Sequence, residues 1–216
     1  EINATRINAR YLPEVIFPPN IHCSDDYQTV LSGVQDILIV VPSAVFHANL
    51  VKLKPFLQSN QRLLWASKGL DTKKHQLLNE VVKEILGDKE MAVLSGPSFA
   101  KEVAMGLPTA INIASENYNF AHDLLLRFQT KRFRVEITSD IIGVELGGAM
   151  KNVLAIAVGI TEGLGFGANA KAAVITYGLS EMIELGLVLG AKQETFLGLS
   201  GLGDLVLTCT DNQSRN

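Results

Sequence analysis

Asp36-Ile37-Leu38-Ile39-Val40-Val41-Pro42 is an unbroken apolar, mostly β-branched run that stops at a proline. It has no polar face, so the strand it forms needs cover on both sides, as in the parallel sheet of an α/β protein. The pattern repeats outward from it. Residues 44–57 place Val45, Leu50, Val51 and Leu53 at helical spacing, and Arg62-Leu63-Leu64-Trp65-Ala66-Ser67 is a second strand, ended by Lys68-Gly69. Residues 77–86 are amphipathic and close on Gly87, which suits a helix C-cap. Met91-Ala92-Val93-Leu94-Ser95-Gly96-Pro97 is a third strand. Ala110-Ile111-Asn112-Ile113-Ala114 and Phe133-Arg134-Val135-Glu136-Ile137 are two more, with a helix over 120–128 between them. Strands and helices alternating on short connections predict βαβ units and a right-handed parallel sheet. Ligands of such sheets lie beyond the carboxyl ends of the strands. Those ends carry Pro42-Ser43, Ser67-Lys68-Gly69 and Ser95-Gly96-Pro97-Ser98. Gly, Pro and Ser are also ordinary turn chemistry, but Lys68 would put a cation in the crevice.

Strand signals stop near Asp140. Helical patterns follow over 142–163, 170–190 and 195–207, the last interrupted by Gly198, Gly201 and Gly203. The expected organisation is an α/β domain over 1–139 and an all-helical domain over 140–216. The 216 residues suffice for a sizeable core, and 47% hydrophobic with 19% charged excludes a disordered chain. A net charge of −3 gives no basic excess for nucleic acid or an anionic membrane. Two cysteines, Cys23 and Cys209, fit free thiols in a reducing compartment better than a disulfide framework. Residues 141–160 are long and apolar, but Glu145 and Lys151 would sit inside a bilayer, where a charge costs roughly 2.5–3.5 kcal/mol; a buried helix is the better reading. The chain starts at Glu1 without a signal-peptide pattern and stops at Ser214-Arg215-Asn216, which reads as a piece cut at both ends.

Lys151 stands in an apolar helix with Gly147 and Gly148 on its own face. Desolvation lowers a lysine's pKa toward the range a general acid or base needs; a lysine snorkelling to a helix surface is the alternative. Asp204 lies in the apolar, glycine-rich stretch Gly201-Leu202-Gly203-Asp204-Leu205. Buried, it needs a cation, and Lys151 would serve; otherwise it is an N-cap. Asn212-Gln213-Ser214-Arg215-Asn216 is either a polar loop or a donor cluster suited to phosphate. Gly163-Leu164-Gly165-Phe166-Gly167 follows a helix rather than a strand, so it reads as a helix–helix turn and not a phosphate loop. The four histidines show no metal-ligand spacing with a cysteine, and no metal site is expected.

Five segments occur in one order: Trp65-Ala66-Ser67-Lys68-Gly69-Leu70, Leu94-Ser95-Gly96-Pro97-Ser98-Phe99-Ala100, Glu145-Leu146-Gly147-Gly148-Ala149-Met150-Lys151-Asn152, Gly201-Leu202-Gly203-Asp204-Leu205-Val206-Leu207-Thr208-Cys209, and the final Asn212-Gln213-Ser214-Arg215-Asn216. Together they resemble the bacterial NAD(P)-dependent glycerol-3-phosphate dehydrogenases, over essentially the whole chain. The resemblance implies a partial Rossmann-type, dinucleotide-binding domain followed by an incomplete helical substrate domain. It implies hydride transfer between NAD(P)H and dihydroxyacetone phosphate, giving sn-glycerol 3-phosphate for phospholipid synthesis. It makes Lys151 the catalytic acid/base and Asp204 its partner. Lys68, Gly96, Ser98, Lys151, Asp204, Ser214, Arg215 and Asn216 become substrate contacts, with Lys68, Ala100 and Arg215 near the cofactor. A cytoplasmic homodimer, without nucleic acid and without stable membrane insertion, is expected with it. The family opens with a Gly-x-Gly-x-x-Gly turn that this chain does not contain, and continues beyond Asn216, so a fragment is expected. The alternatives are a dehydrogenase of another small hydroxy acid with the same architecture, or a non-catalytic truncated module.

Overall fold

The computed structural model describes residues 1–211, 213 and 214. The chain opens with α1 (Ile2–Thr5) and a small antiparallel pair, β1 (Ile7–Asn8) and β2 (Leu12–Ile16). Next comes α2 (Tyr27–Leu31), where the Asp26 side chain accepts from the amides of Gln28 and Thr29. None of these elements is long enough to show a period in the sequence. The regular fold begins at β3 (Asp36–Ile39) and runs through α3 (Ser43–Leu53), β4 (Arg62–Trp65), α4 (Leu78–Leu86), β5 (Met91–Ser95), α5 (Ala100–Ala104), β6 (Thr109–Ala114), α6 (Tyr118–Phe128) and β7 (Phe133–Thr138). It then becomes helical: α7 (Ile141–Gly163), α8 (Gly167–Val188), α9 (Gln193–Leu197), a π-helical turn at Leu199–Gly203 and α10 (Asp204–Thr210). The glycine-rich stretch after α7 is the expected helix–helix turn, with Gly165 and Gly167 at positive φ.

The five-stranded sheet has the order β3-β4-β5-β6-β7. The pairs β3–β4, β4–β5 and β6–β7 are parallel, as the alternating pattern predicts. The pair β5–β6 is antiparallel, with Val93 opposite Ala114 and Ser95 opposite Asn112, and this corrects the expectation of an all-parallel sheet. The reason is the connection. A parallel return needs a crossover along the length of the sheet, whereas only the five-residue α5 lies between β5 and β6.

Every residue of β4 and β5 is buried, which accounts for their unalternating composition. On one face Leu63, Trp65 and Val93 pack with Phe46, Leu50, Val81 and Val82 and with Ile141 and Val144 of α7. On the other, Leu64, Ala92, Leu94 and Ile113 pack with Phe120 and Leu124 of α6. A third cluster, Leu146, Leu154, Val158, Met182, Phe196 and Leu205, is wholly helical. The helix α7 therefore belongs to two cores: its first turn closes the sheet and the rest anchors the helical layer. Among the described residues it is the one helix long and apolar enough to cross a membrane, and most of its apolar window is buried inside the chain.

Candidate active site

Lys68 and Gly96 stand just beyond the carboxyl ends of β4 and β5. Gly96 has φ +142°, and a Cβ there would come within 3.0 Å of the Ile111 Cα, so the turn requires glycine. Its carbonyl accepts from Lys68 Nζ at 3.0 Å and from Ser98 Oγ at 3.0 Å.

α7 and α10 approach this corner from the helical layer. Asp204 begins α10, 1% exposed. Its two carboxylate oxygens are divided between two cations: Oδ2 lies 2.6 Å from Lys68 Nζ, and Oδ1 2.6 Å from Lys151 Nζ. Its side chain caps nothing, so of the two readings open from sequence the structure selects the ion pair. Lys151, 8% exposed, also donates to Thr208 Oγ1 at 3.0 Å, and that hydroxyl donates to the Asp204 carbonyl at 2.6 Å. The lysine is thus held inside rather than snorkelling outward. Burial pushes the Lys68 ammonium below its ordinary pKa, and the nearby Lys151 charge adds to this, against the opposing pull of Asp204. Two ammoniums on one carboxylate leave the corner with an excess positive charge. Such a corner can attract an anion and exchange a proton.

The glycines of α7 make the convergence possible. A Cβ on Gly147 would lie 2.5 Å from the Ser200 carbonyl oxygen, and one on Gly148 3.3 Å from Lys68 Cγ. The close approach at these glycines is made by the backbone of the π-helical turn and by the Lys68 stem. Ser200 locks that turn to the sheet: its amide and hydroxyl both donate toward Asn112 Oδ1, at 3.1 and 2.9 Å.

Ser98 and Ala100 line, with Lys68, a cleft of about 400 Å³ whose walls include Val40, Ala66, Leu94 and Val103. Ser214 lies on a separate small pocket that it shares with Thr208 and Lys171, one side chain away from Lys151. Arg215 and Asn216 lie outside the described residues. The structure therefore brings Lys68, Gly96, Ser98, Lys151 and Asp204 together, sets Ala100 along the cleft, and puts Ser214 on the far side of Thr208.

Sequence reasoning left three contributors without a role. Thr208 was legible, since four residues after Asp204 is the same helix face. Asn112 is the one polar residue of Ala110-Ile111-Asn112-Ile113-Ala114, a weak signal. Glu145, 6% exposed, accepts from Trp65 Nε1 at 2.9 Å and from the Asn79 amide at 3.2 Å. Burial pushes its carboxyl up to about 8 in spite of those two donors.

Residues 1–121 match the family model described as the NAD-dependent glycerol-3-phosphate dehydrogenase N-terminus, and residues 140–216 the one described as the C-terminus. The chain is 56% identical over 213 residues to a glycerol-3-phosphate dehydrogenase of Klebsiella pneumoniae, covering 98% of this chain and 63% of that protein. It is 54% identical over 218 residues to the Haemophilus influenzae enzyme, covering 100% and 65%. Among solved structures it is similar to glycerol-3-phosphate dehydrogenase from Coxiella burnetii, with TM-score 0.96 at 54% identity over 99% of this chain and 66% of that one. The Saccharomyces cerevisiae enzyme follows the same path at 30% identity, with TM-score 0.88 over 99% of this chain and 64% of that one. The chain spans just under two thirds of the length of the curated relatives it matches, 63% of one and 65% of the other.

Proposed function

The chain belongs to the NAD-dependent glycerol-3-phosphate dehydrogenase family, and on that premise we propose that it carries the proton-transfer centre of an enzyme interconverting dihydroxyacetone phosphate and sn-glycerol 3-phosphate. The product would feed phospholipid synthesis. The observation that supports this most is the meeting of Lys68 and Lys151 on Asp204 at the carboxyl ends of the strands. Lys151 delivers a proton to the carbonyl oxygen as hydride reaches the carbon, and takes the hydroxyl proton in reverse. Asp204 holds Lys151 oriented, and Lys68 shares the carboxylate and faces substrate and cofactor. Gly96, Ser98 and Ser214 contact the substrate. Ser214, Arg215 and Asn216 take its phosphate, where the guanidinium fork suits two phosphate oxygens.

NAD or NADP is the proposed cofactor. The cleft fits its nicotinamide end: Val40, Ala66 and Val103 give a flat ring an apolar wall, and Lys68 gives the rim a cation. Lys68, Ala100 and Arg215 would hold that end. Bound there, the reduced cofactor supplies the hydride. We place the dinucleotide-binding part at 1–139 and the helical substrate part at 140–216, because α7 starts both the helical layer and the second family match. A homodimer in the cytoplasm, with no nucleic-acid partner and no stable membrane insertion, accompanies this reading; the net charge of −3 supports the lack of a nucleic-acid partner, and the two free cysteines a reducing compartment.

The test is NAD(P)H consumption by the full-length protein with dihydroxyacetone phosphate, beside unphosphorylated dihydroxyacetone. Turnover that needs the phosphate is expected. Equal rates on both compounds would overturn the assignment of Ser214, Arg215 and Asn216.

A further inference from the structure

We propose that Glu145 is a positioning residue that sets the register of α7 against β4 and so brings Lys151 and Lys68 to one carboxylate. This rests on the dehydrogenase reading above. Burying an ionisable group is costly, and apolar replacements of buried ionic groups are often as stable or more so. Among the described residues the carboxyl hydrogen-bonds none of those assigned to substrate or cofactor. It reaches instead out of α7 to the indole of Trp65 on β4 and to the first turn of α4.

The spacing gives these bonds their meaning. Trp65 stands three residues before Lys68, roughly 10 Å along an extended chain. Glu145 stands six residues before Lys151, roughly 9 Å along a helix. Two nearly equal arms thus run from one cross-link, Glu145–Trp65, to another, Lys151–Asp204–Lys68. Between them Leu146 and Met150 pack into the helical core, while Gly147 and Gly148, set against Ser200 and against Lys68 and Ser95, bear no side chain to fix the helix there. Apolar contacts of Ile141 and Val144 hold α7 on the sheet, and the bond to Trp65 adds a directional fixed point to that packing.

The experiment uses the full-length protein with Trp65→Phe, which removes the indole donor and leaves a smaller ring in the same buried place, and with Glu145→Met and Glu145→Gln. Two quantities are read: kcat and KM for dihydroxyacetone phosphate, and the rate at which Lys151 and Lys68 are acetylated relative to the exposed Lys73, by mass spectrometry. In Trp65→Phe and Glu145→Met, kcat is expected to fall about 10- to 100-fold, the scale of an ångström of misplacement. KM changes little, and labelling of both lysines rises several-fold. Glu145→Gln keeps one acceptor oxygen for the indole and recovers most of both losses. The double variant Trp65→Phe/Glu145→Met costs no more than either single. Unchanged labelling overturns the proposal, whatever happens to kcat, and so does raised labelling with unchanged kcat. A lowered melting temperature alone makes Glu145 a stability residue, which also overturns it. Should Glu145→Met not fold, Trp65→Phe decides. Should the unaltered protein not reduce dihydroxyacetone phosphate, the dehydrogenase reading fails, and the labelling alone decides the role of Glu145.

Discussion

Asp204→Asn removes the anion on which both lysines depend, at nearly constant volume. Each carboxylate oxygen lies 2.6 Å from an ammonium, and the residue is 1% exposed, so the variant leaves a buried and a part-buried ammonium side by side. Breaking a buried ion pair costs about 3–5 kcal/mol. The loss has a ceiling, because Lys68 can shed its proton instead. From an ordinary pKa of 10.5, neutralising a lysine costs about 1.4 kcal/mol for each pH unit below it, or about 5 kcal/mol at pH 7. At pH 9 the same ceiling is about 2 kcal/mol. In the natural chain burial already lowers the Lys68 pKa against the pull of Asp204; with that pull removed the folded variant should bind fewer protons than the unfolded chain, and its stability should climb with pH across that window. Urea unfolding of the full-length protein should therefore show a deficit of about 3–5 kcal/mol at pH 7 that shrinks to about 2 kcal/mol or less at pH 9. A deficit under about 1 kcal/mol at pH 7, or one that does not shrink between pH 7 and pH 9, would falsify the shared-carboxylate account.

Lys151→Ala should abolish turnover while leaving the circular dichroism spectrum and the Lys68–Asp204 pair in place, and its cost in stability should stay below that of Asp204→Asn; residual turnover near the natural rate removes Lys151 from the proton-transfer role. Gly147→Ala should lower stability by about 1–3 kcal/mol, as overpacking does, because its methyl would meet the Ser200 backbone oxygen at 2.5 Å; an unchanged melting temperature would show that the π-helical turn can move away freely. Glu145→Gln should gain stability relative to the natural chain as pH rises from 4.5 to about 8, by about 1.4 kcal/mol per unit, since the natural carboxyl must take up a proton to fold in that window and the amide need not. A difference between the two chains that stays flat over the same window would mean that Glu145 folds in its charged form.

Much of this architecture is local and was legible in the residues. The strands β3, β4 and β5 announce themselves because a strand covered on both faces has no polar alternation to confuse. The change to helices near Asp140 is visible for the same reason, and so are the isolation of Lys151 and Asp204 among apolar neighbours and the need of each for an opposite charge. What no periodicity carries is distance through space. Lys68 and Asp204 are 136 positions apart, and Lys151 and Asp204 are 53 apart. That one carboxylate serves both lysines follows from where α7 and α10 pack, with glycines 147 and 148 letting backbone and side chain in. The antiparallel β5–β6 pair likewise depends on a short connection rather than on strand composition; it sets Asn112 beside Ser95, where the π-helical turn can be tied down. Glu145 shows the division most sharply. In sequence it is one acid in an apolar helix. Only packing against Trp65 and the start of α4 gives it partners, because hydrogen bonds are directional and local sequence patterns do not record direction across a fold.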